Sequence, residues 1–101
     1  LMTRTIQLTD RELALIREVV ARHPGITGTI VFGSRAMGTA RPESDIDLAL
    51  EGIADPLQAQ ATAAELDELP LPYGFDVLAL GAVQLPSLRE HIQQVGVRIS
   101  P

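Results

Sequence analysis

Apolar residues recur along the chain in stretches whose period changes, and the changes mark the elements. Leu13, Ile16, Val19 and Val20 follow the capping box Thr9-Asp10-Arg11-Glu12 at helical spacing. This predicts a first helix from about Asp10 to Arg22, stopped by His23-Pro24-Gly25. Thr29-Ile30-Val31-Phe32 is β-branched and apolar without alternation, the pattern of a strand buried on both faces, and it ends at Gly33. A short helix over Arg35 to Met37 and a Gly-, Pro- and polar-rich stretch from Gly38 to Ser44 come next. In Asp45-Ile46-Asp47-Leu48-Ala49-Leu50 the period becomes two, with Ile46, Leu48 and Leu50 on one face and Asp45, Asp47 and Ala49 on the other.

Asp55-Pro56 is a helix start, Asp as cap and Pro at the first helical position, and Ala-rich sequence carries that helix to about Leu69 before Pro70 and Pro72 end it. Phe75 to Leu80 reads as a third strand, and Leu85, Leu88, Ile92 and Val95 mark a last helix closed by Gly96. Val97-Arg98-Ile99 reads as a short edge strand. This order predicts an α/β fold in which about four helices flank a small mixed β-sheet. No internal repeat, linker or low-complexity segment interrupts it.

Composition narrows the chemistry. With 101 residues, 46% of them hydrophobic, the expected organisation is a single domain over 1–101. The absence of Cys excludes thiol nucleophiles, disulfides and thiolate metal sites. Every basic residue is Arg, so a Schiff-base or phosphate-binding lysine is excluded as well. A net charge of −5 and few aromatic residues argue against nucleic acid as a bulk partner. No apolar run is long enough for a membrane span, and Leu1-Met2-Thr3-Arg4, read as one extra residue before a start at Met2, lacks the apolar stretch of a signal peptide. The expected location is cytoplasmic.

Three acids interrupt apolar strands. Asp45 and Asp47 point the same way from one strand, roughly 6.5–7 Å apart by the rise per residue. The neighbours of Asp76 predict a central strand, where an unpaired carboxylate costs several kcal/mol in order-of-magnitude terms. Taken singly, each acid also fits an ordinary role: Asp45 capping a turn, Asp47 facing solvent, Asp76 pairing with an Arg. Together they suit a magnesium ion, which takes carboxylate oxygens and keeps sites for water and substrate phosphates. Gly33-Ser34, directly after a buried strand, places free backbone N–H groups and a hydroxyl where phosphate oxygens can be held. In isolation that pair is better read as an ordinary tight turn. Gly38 lets the chain turn out of the short helix, and Arg35 or Arg41 is the candidate charged clamp on a triphosphate.

The two halves are informative together. Gly33-Ser34, ten residues, then Asp45-Ile46-Asp47 form a G-S-x10-D-x-D pattern, within Gly33-Ser34-Arg35 and Pro42-Glu43-Ser44-Asp45-Ile46-Asp47-Leu48. In these motifs the chain resembles the nucleotidyltransferase superfamily of the DNA polymerase beta type, and within it the minimal nucleotidyltransferases (MNT) of HEPN/MNT toxin–antitoxin pairs. The likeness runs from the first helix through Phe75-Asp76-Val77. It implies that Asp45, Asp47 and Asp76 are the catalytic, Mg2+-binding carboxylates, with Asp76 the candidate general base, and that Gly33, Ser34 and Arg35 form the nucleotide-binding set. It also implies the antitoxin of a type VII pair, which transfers AMP from ATP, or another nucleoside triphosphate, to a tyrosine of the HEPN toxin, within a hetero-oligomer or as a homodimer.

Two other functions remain open at this point: an antitoxin that neutralises its toxin by binding alone, and a small-molecule transferase of the aminoglycoside type. The latter is disfavoured by the roughly twenty residues left after the third acid strand for an acceptor pocket. His23 reads as a helix-end cation, His91 as a surface residue of the last helix, Tyr73 as a turn or pocket residue, and Asp67 and Glu68 as solvation of the third helix.

Overall fold

The computed structural model describes residues 6–100, so the reading of Leu1 to Arg4 concerns residues outside that range. Helix α1 (Asp10–Val20) leads to strand β1 (Gly28–Phe32), the short α2 (Ser34–Met37) and β2 (Ile46–Glu51). Then come α3 (Pro56–Asp67), β3 (Phe75–Ala79), a single 3-10 turn at Leu80–Ala82, α4 (Pro86–Val95) and β4 (Val97–Ser100). The caps are those the sequence predicts: Thr9 and Glu12 exchange hydrogen bonds reciprocally at 3.1 and 2.8 Å, and the Asp55 carboxylate accepts from Leu57 N at 2.9 Å. α1 and α3 each stop two residues before their expected ends, and Leu80 leaves the strand for the 3-10 turn.

The sheet order is β3-β2-β1-β4, with β2 parallel to β3 and the other pairs antiparallel. On one face α1 and α3 close a core that includes Ile16, Val31, Ile46, Leu48, Leu50 and Leu66. On the other α4 covers Phe32, Ala49 and Ile92. β1 is buried on both faces, as its unbroken apolar run requires, and β4 takes the expected edge.

The expectation for β3 needs correction. It is an edge strand, not a central one, and Asp76 is exposed. Its apolar run has a different cause: Phe75 and Val77 pack toward the α1–α3 core, Leu78 and Leu80 toward the α4 core. Helices therefore cover both faces of a strand whose outer hydrogen-bonding edge is free of the sheet. Face burial sets the hydrophobic pattern, whereas position within a sheet is a matter of the perpendicular, hydrogen-bonding direction. Among the described residues, no helix is long and apolar enough to cross a membrane.

Candidate active site

Strand register brings the acids together. Asp47 lies opposite Asp76 in the parallel β2–β3 pairing and opposite Phe32 in the antiparallel β1–β2 pairing. Cross-strand partners share a face. Leu48 and Val77 accordingly meet on the α1–α3 side, and Ala49 and Leu78 on the α4 side. Asp47 and Asp76 therefore emerge side by side on the α4 face, on strands about 4.8 Å apart. Asp45, just before β2, rests its carboxylate against Gly74, where a β-carbon would lie 2.8 Å from Asp45 Oδ1. Asp45 and Asp76 are exposed and Asp47 is half-buried. Burial pushes the Asp47 carboxyl above its usual value, the charges of Asp76 and Asp45 push it further, and His91 opposes them.

The chain leaves β1 through Gly33 (φ 70, ψ −153), a conformation that favours glycine, and a β-carbon there would collide with Asp47 Oδ2. Gly33 thus lets the turn form and lets the Asp47 carboxylate lie against the backbone. Ser34 opens α2, half-buried, next to that carboxylate's turn. Gly38 closes α2 at φ 79.

Arg35, which the resemblance puts in the nucleotide-binding set, is engaged with backbone carbonyls. It is 5% exposed. Nη1 donates to Gln7 O at 2.9 Å and Nη2 to Ser44 O at 2.9 Å, with longer contacts to Arg41 O and Pro42 O, while the guanidinium stacks 4.2 Å above the Tyr73 ring. It braces the loop over residues 38–44 and so fixes where Asp45 begins. Tyr73 in turn faces Glu12, whose carboxylate raises the Tyr73 pKa. Burial alone would raise Glu12 as well, but hydrogen bonds from Thr9 and Tyr73, with the Arg35 charge, hold it below the ordinary carboxylate value. Arg41 remains on the exposed loop.

The donor set fits a hard cation. Among the described residues, there is no group of three His, Asp or Glu side chains placed to hold a metal ion. Magnesium does not demand one, since it is usually held by one or two carboxylates, with waters and substrate phosphates completing the shell. Oxygen-only ligands at a mutually repelling, solvent-open cluster match that habit.

Sequence reasoning missed three participants. Glu12 was legible only as a capping residue, Gly74 only as a turn residue, and His91 as a surface residue. His91 is in fact half-buried, its ring edge-on to Phe32 at 6.1 Å between centroids. The helical period shows only that His91 adjoins the buried Ile92; that α4 crosses above Phe32 depends on tertiary packing. His23 lies away from the acids, 2.7 Å from Glu65 in α3.

A family model described as "Polymerase beta, Nucleotidyltransferase" matches residues 15–100. No curated protein sequence matches the chain. Among solved structures, the fold is similar to that of a toxin–antitoxin with AMP-PNP (TM-score 0.72, 21% identity, 86% of this chain and 71% of that one). It is also similar to the toxin–antitoxin MntA-HepT (TM-score 0.69, 16% identity, 90% and 71%). A third similar structure is a tri-AMPylated Shewanella oneidensis HEPN toxin in complex with MNT antitoxin (TM-score 0.62, 17% identity, 91% and 71%).

Two outcomes follow from this geometry. Because the folded-state pKa of Asp47 lies above its unfolded value, its ionised form is penalised in the native protein at neutral pH, and the penalty is absent below the ordinary value of 3.8. In metal-free buffer Asp47→Asn is expected to raise Tm at about pH 7, by up to about 1 kcal/mol of stability. The gain should fade as pH drops through 4; an unchanged or lower Tm at neutral pH would contradict the repulsion. Arg35→Lys keeps the charge but loses the fork that spans Gln7 O and Ser44 O, and should cost about 2–3 kcal/mol in urea unfolding. A cost under about 0.5 kcal/mol, the range of an ordinary surface substitution, would show that the brace is not needed.

Proposed function

As the chain belongs to the polymerase beta nucleotidyltransferase family and is a nucleotidyltransferase, we propose that it is a Mg2+-dependent protein adenylyltransferase, the antitoxin of a HEPN/MNT pair. It moves AMP from ATP to a tyrosine of the HEPN toxin. The observation that carries this reading is the emergence of Asp47 and Asp76 side by side on one face, with Asp45 and the Gly33-Ser34 turn beside them. Structures with a similar fold include a toxin–antitoxin with AMP-PNP and a complex of an AMPylated HEPN toxin with MNT antitoxin, which supports the choice of nucleotide and acceptor.

In this reading Asp45 and Asp47 hold the metal ion and Asp76 completes the site. When bound, Mg2+ neutralises charge on the triphosphate as it shifts toward pyrophosphate. Gly33 and Ser34 hold phosphate oxygens through backbone N–H and hydroxyl, which orients the α-phosphate for in-line attack. Asp76, exposed at the sheet edge, accepts the proton of the attacking tyrosine hydroxyl. The new bond is O–Pα; the bond between Pα and the bridging oxygen breaks, and pyrophosphate leaves with the electron pair. Because Asp45 and Asp76 stand open to solvent, an acceptor protein supplies the far wall of the site, and the active assembly is a hetero-oligomer.

The test compares ATP labelled at the α- or the γ-phosphate, with Mg2+ and a HEPN toxin as acceptor. The α label alone should transfer to tyrosine, and Asp45→Asn/Asp47→Asn should lower the rate at least about 100-fold, the scale of losing a transition-state electrostatic contact. Transfer of the γ label would contradict nucleotidyl transfer. Full neutralisation of the toxin by the double variant at equal stoichiometry would replace catalysis with binding as the antitoxin mechanism.

A further inference from the structure

Resting on the nucleotidyl-transfer reading, a triphosphate on the α4 face needs hydrogen-bond donors from this chain, and most arginines are committed elsewhere. Arg17 donates to Ile99 O, Arg22 pairs with Glu18 and Glu65, Arg35 holds the loop, Arg89 donates to Leu80 O and Val83 O, and Arg98 pairs with Glu51. Arg11 belongs to α1, which packs on the opposite face of the sheet, and Arg41 lies on the exposed loop.

His91 is differently placed. It precedes Ile92, the buried contact of α4, and its ring stands edge-on to Phe32 with an interplanar angle of 81°. Phe32 is the cross-strand partner of Asp47, so the imidazole, the Phe32 ring and the Asp47 carboxylate follow one another on a single face. His91 and Asp47 form no ion pair among the described residues, so the acid does not engage the imidazole. The Phe32 contact fixes the ring plane, so a donor held there is pre-oriented and loses little entropy on binding.

From this placement we infer that His91 is a nucleotide-holding residue, its imidazole N–H donating to a phosphate oxygen of a nucleoside triphosphate bound on the α4 face beside Asp47. A neutral imidazole suffices, because one ring nitrogen is always a donor.

The test uses the full chain and separates packing from donation. His91→Phe keeps an aromatic ring against Phe32 and removes the donor; His91→Gln restores an N–H without the ring. Binding of AMP-PNP in the presence of Mg2+ is measured by calorimetry, next to Tm and α-label transfer. His91→Phe should weaken AMP-PNP binding about 10-fold, in line with loss of one charge-assisted hydrogen bond, at unchanged Tm. His91→Gln should recover most of the affinity, whereas in His91→Phe the KM for ATP should rise more than kcat falls. Equal affinity in wild type and His91→Phe would overturn the inference, and so would an affinity loss that tracks a fall in Tm. If the wild type binds AMP-PNP through His91 but transfers no label to any acceptor, the transfer reading fails and the role of His91 stands. If the wild type binds no nucleotide, both fail together.

Discussion

The structure depends on one constraint: β2 must bury both of its faces and still carry an ionised carboxylate. Ile46, Leu48, Ala49 and Leu50 have no exposed surface, and Asp47 lies among them. The two-residue period of a strand gives that carboxylate no choice of direction, because the α1–α3 face is taken by Ile46 and Leu48. It must leave on the α4 face, at the end of the strand where that core thins out beyond Phe32. The rest of the site follows from this: β3 in parallel register adds Asp76 beside it, and Gly33 removes the β-carbon that would otherwise occupy its position. The like charges that result oppose ionisation of Asp47 in the free protein, and in the proposed function a cation bound with a triphosphate would relieve them.

Holding such a cluster open takes rigidity elsewhere. The loop between α2 and β2 has little core of its own, and a buried guanidinium ties the Ser44 carbonyl at its end to the Gln7 carbonyl ahead of α1. The stack of Arg35 on Tyr73, and Tyr73 facing Glu12 at the start of α1, connects that loop to the first helix. In this arrangement the arginine of the Gly-Ser-Arg segment acts on the site at one remove. It sets the entry to β2 through its bond to the Ser44 carbonyl.

Much of this was legible in the residues themselves. The capping box at Thr9, the Asp55-Pro56 start and the alternation of Ile46 to Leu50 carry their physics locally and are placed as read, whereas Asp45, expected within the strand, falls just before it. The pairing of Gly33-Ser34 with the two acids was legible from spacing. Three features were not, for the same reason. The edge position of β3, the burial of Arg35 and the approach of His91 to Phe32 are set by how distant elements pack, and hydrophobic period reports only whether a face is covered, not by what. Asp76 shows this plainly: its apolar neighbours reported coverage by α3 and α4, and coverage was mistaken for a central position.

On the proposed function, Asp45, Asp47 and Asp76 form a cation and triphosphate site that is completed only when the nucleotide arrives. Electron paramagnetic resonance of Mn2+ as a stand-in for Mg2+, titrated with and without AMP-PNP, tests it most directly. Mn2+ should bind weakly to the protein alone and markedly more tightly when nucleotide is also present, and that tightening should be lost in Asp45→Asn/Asp47→Asn. Tightening by the nucleotide that survives loss of both carboxylates would contradict it.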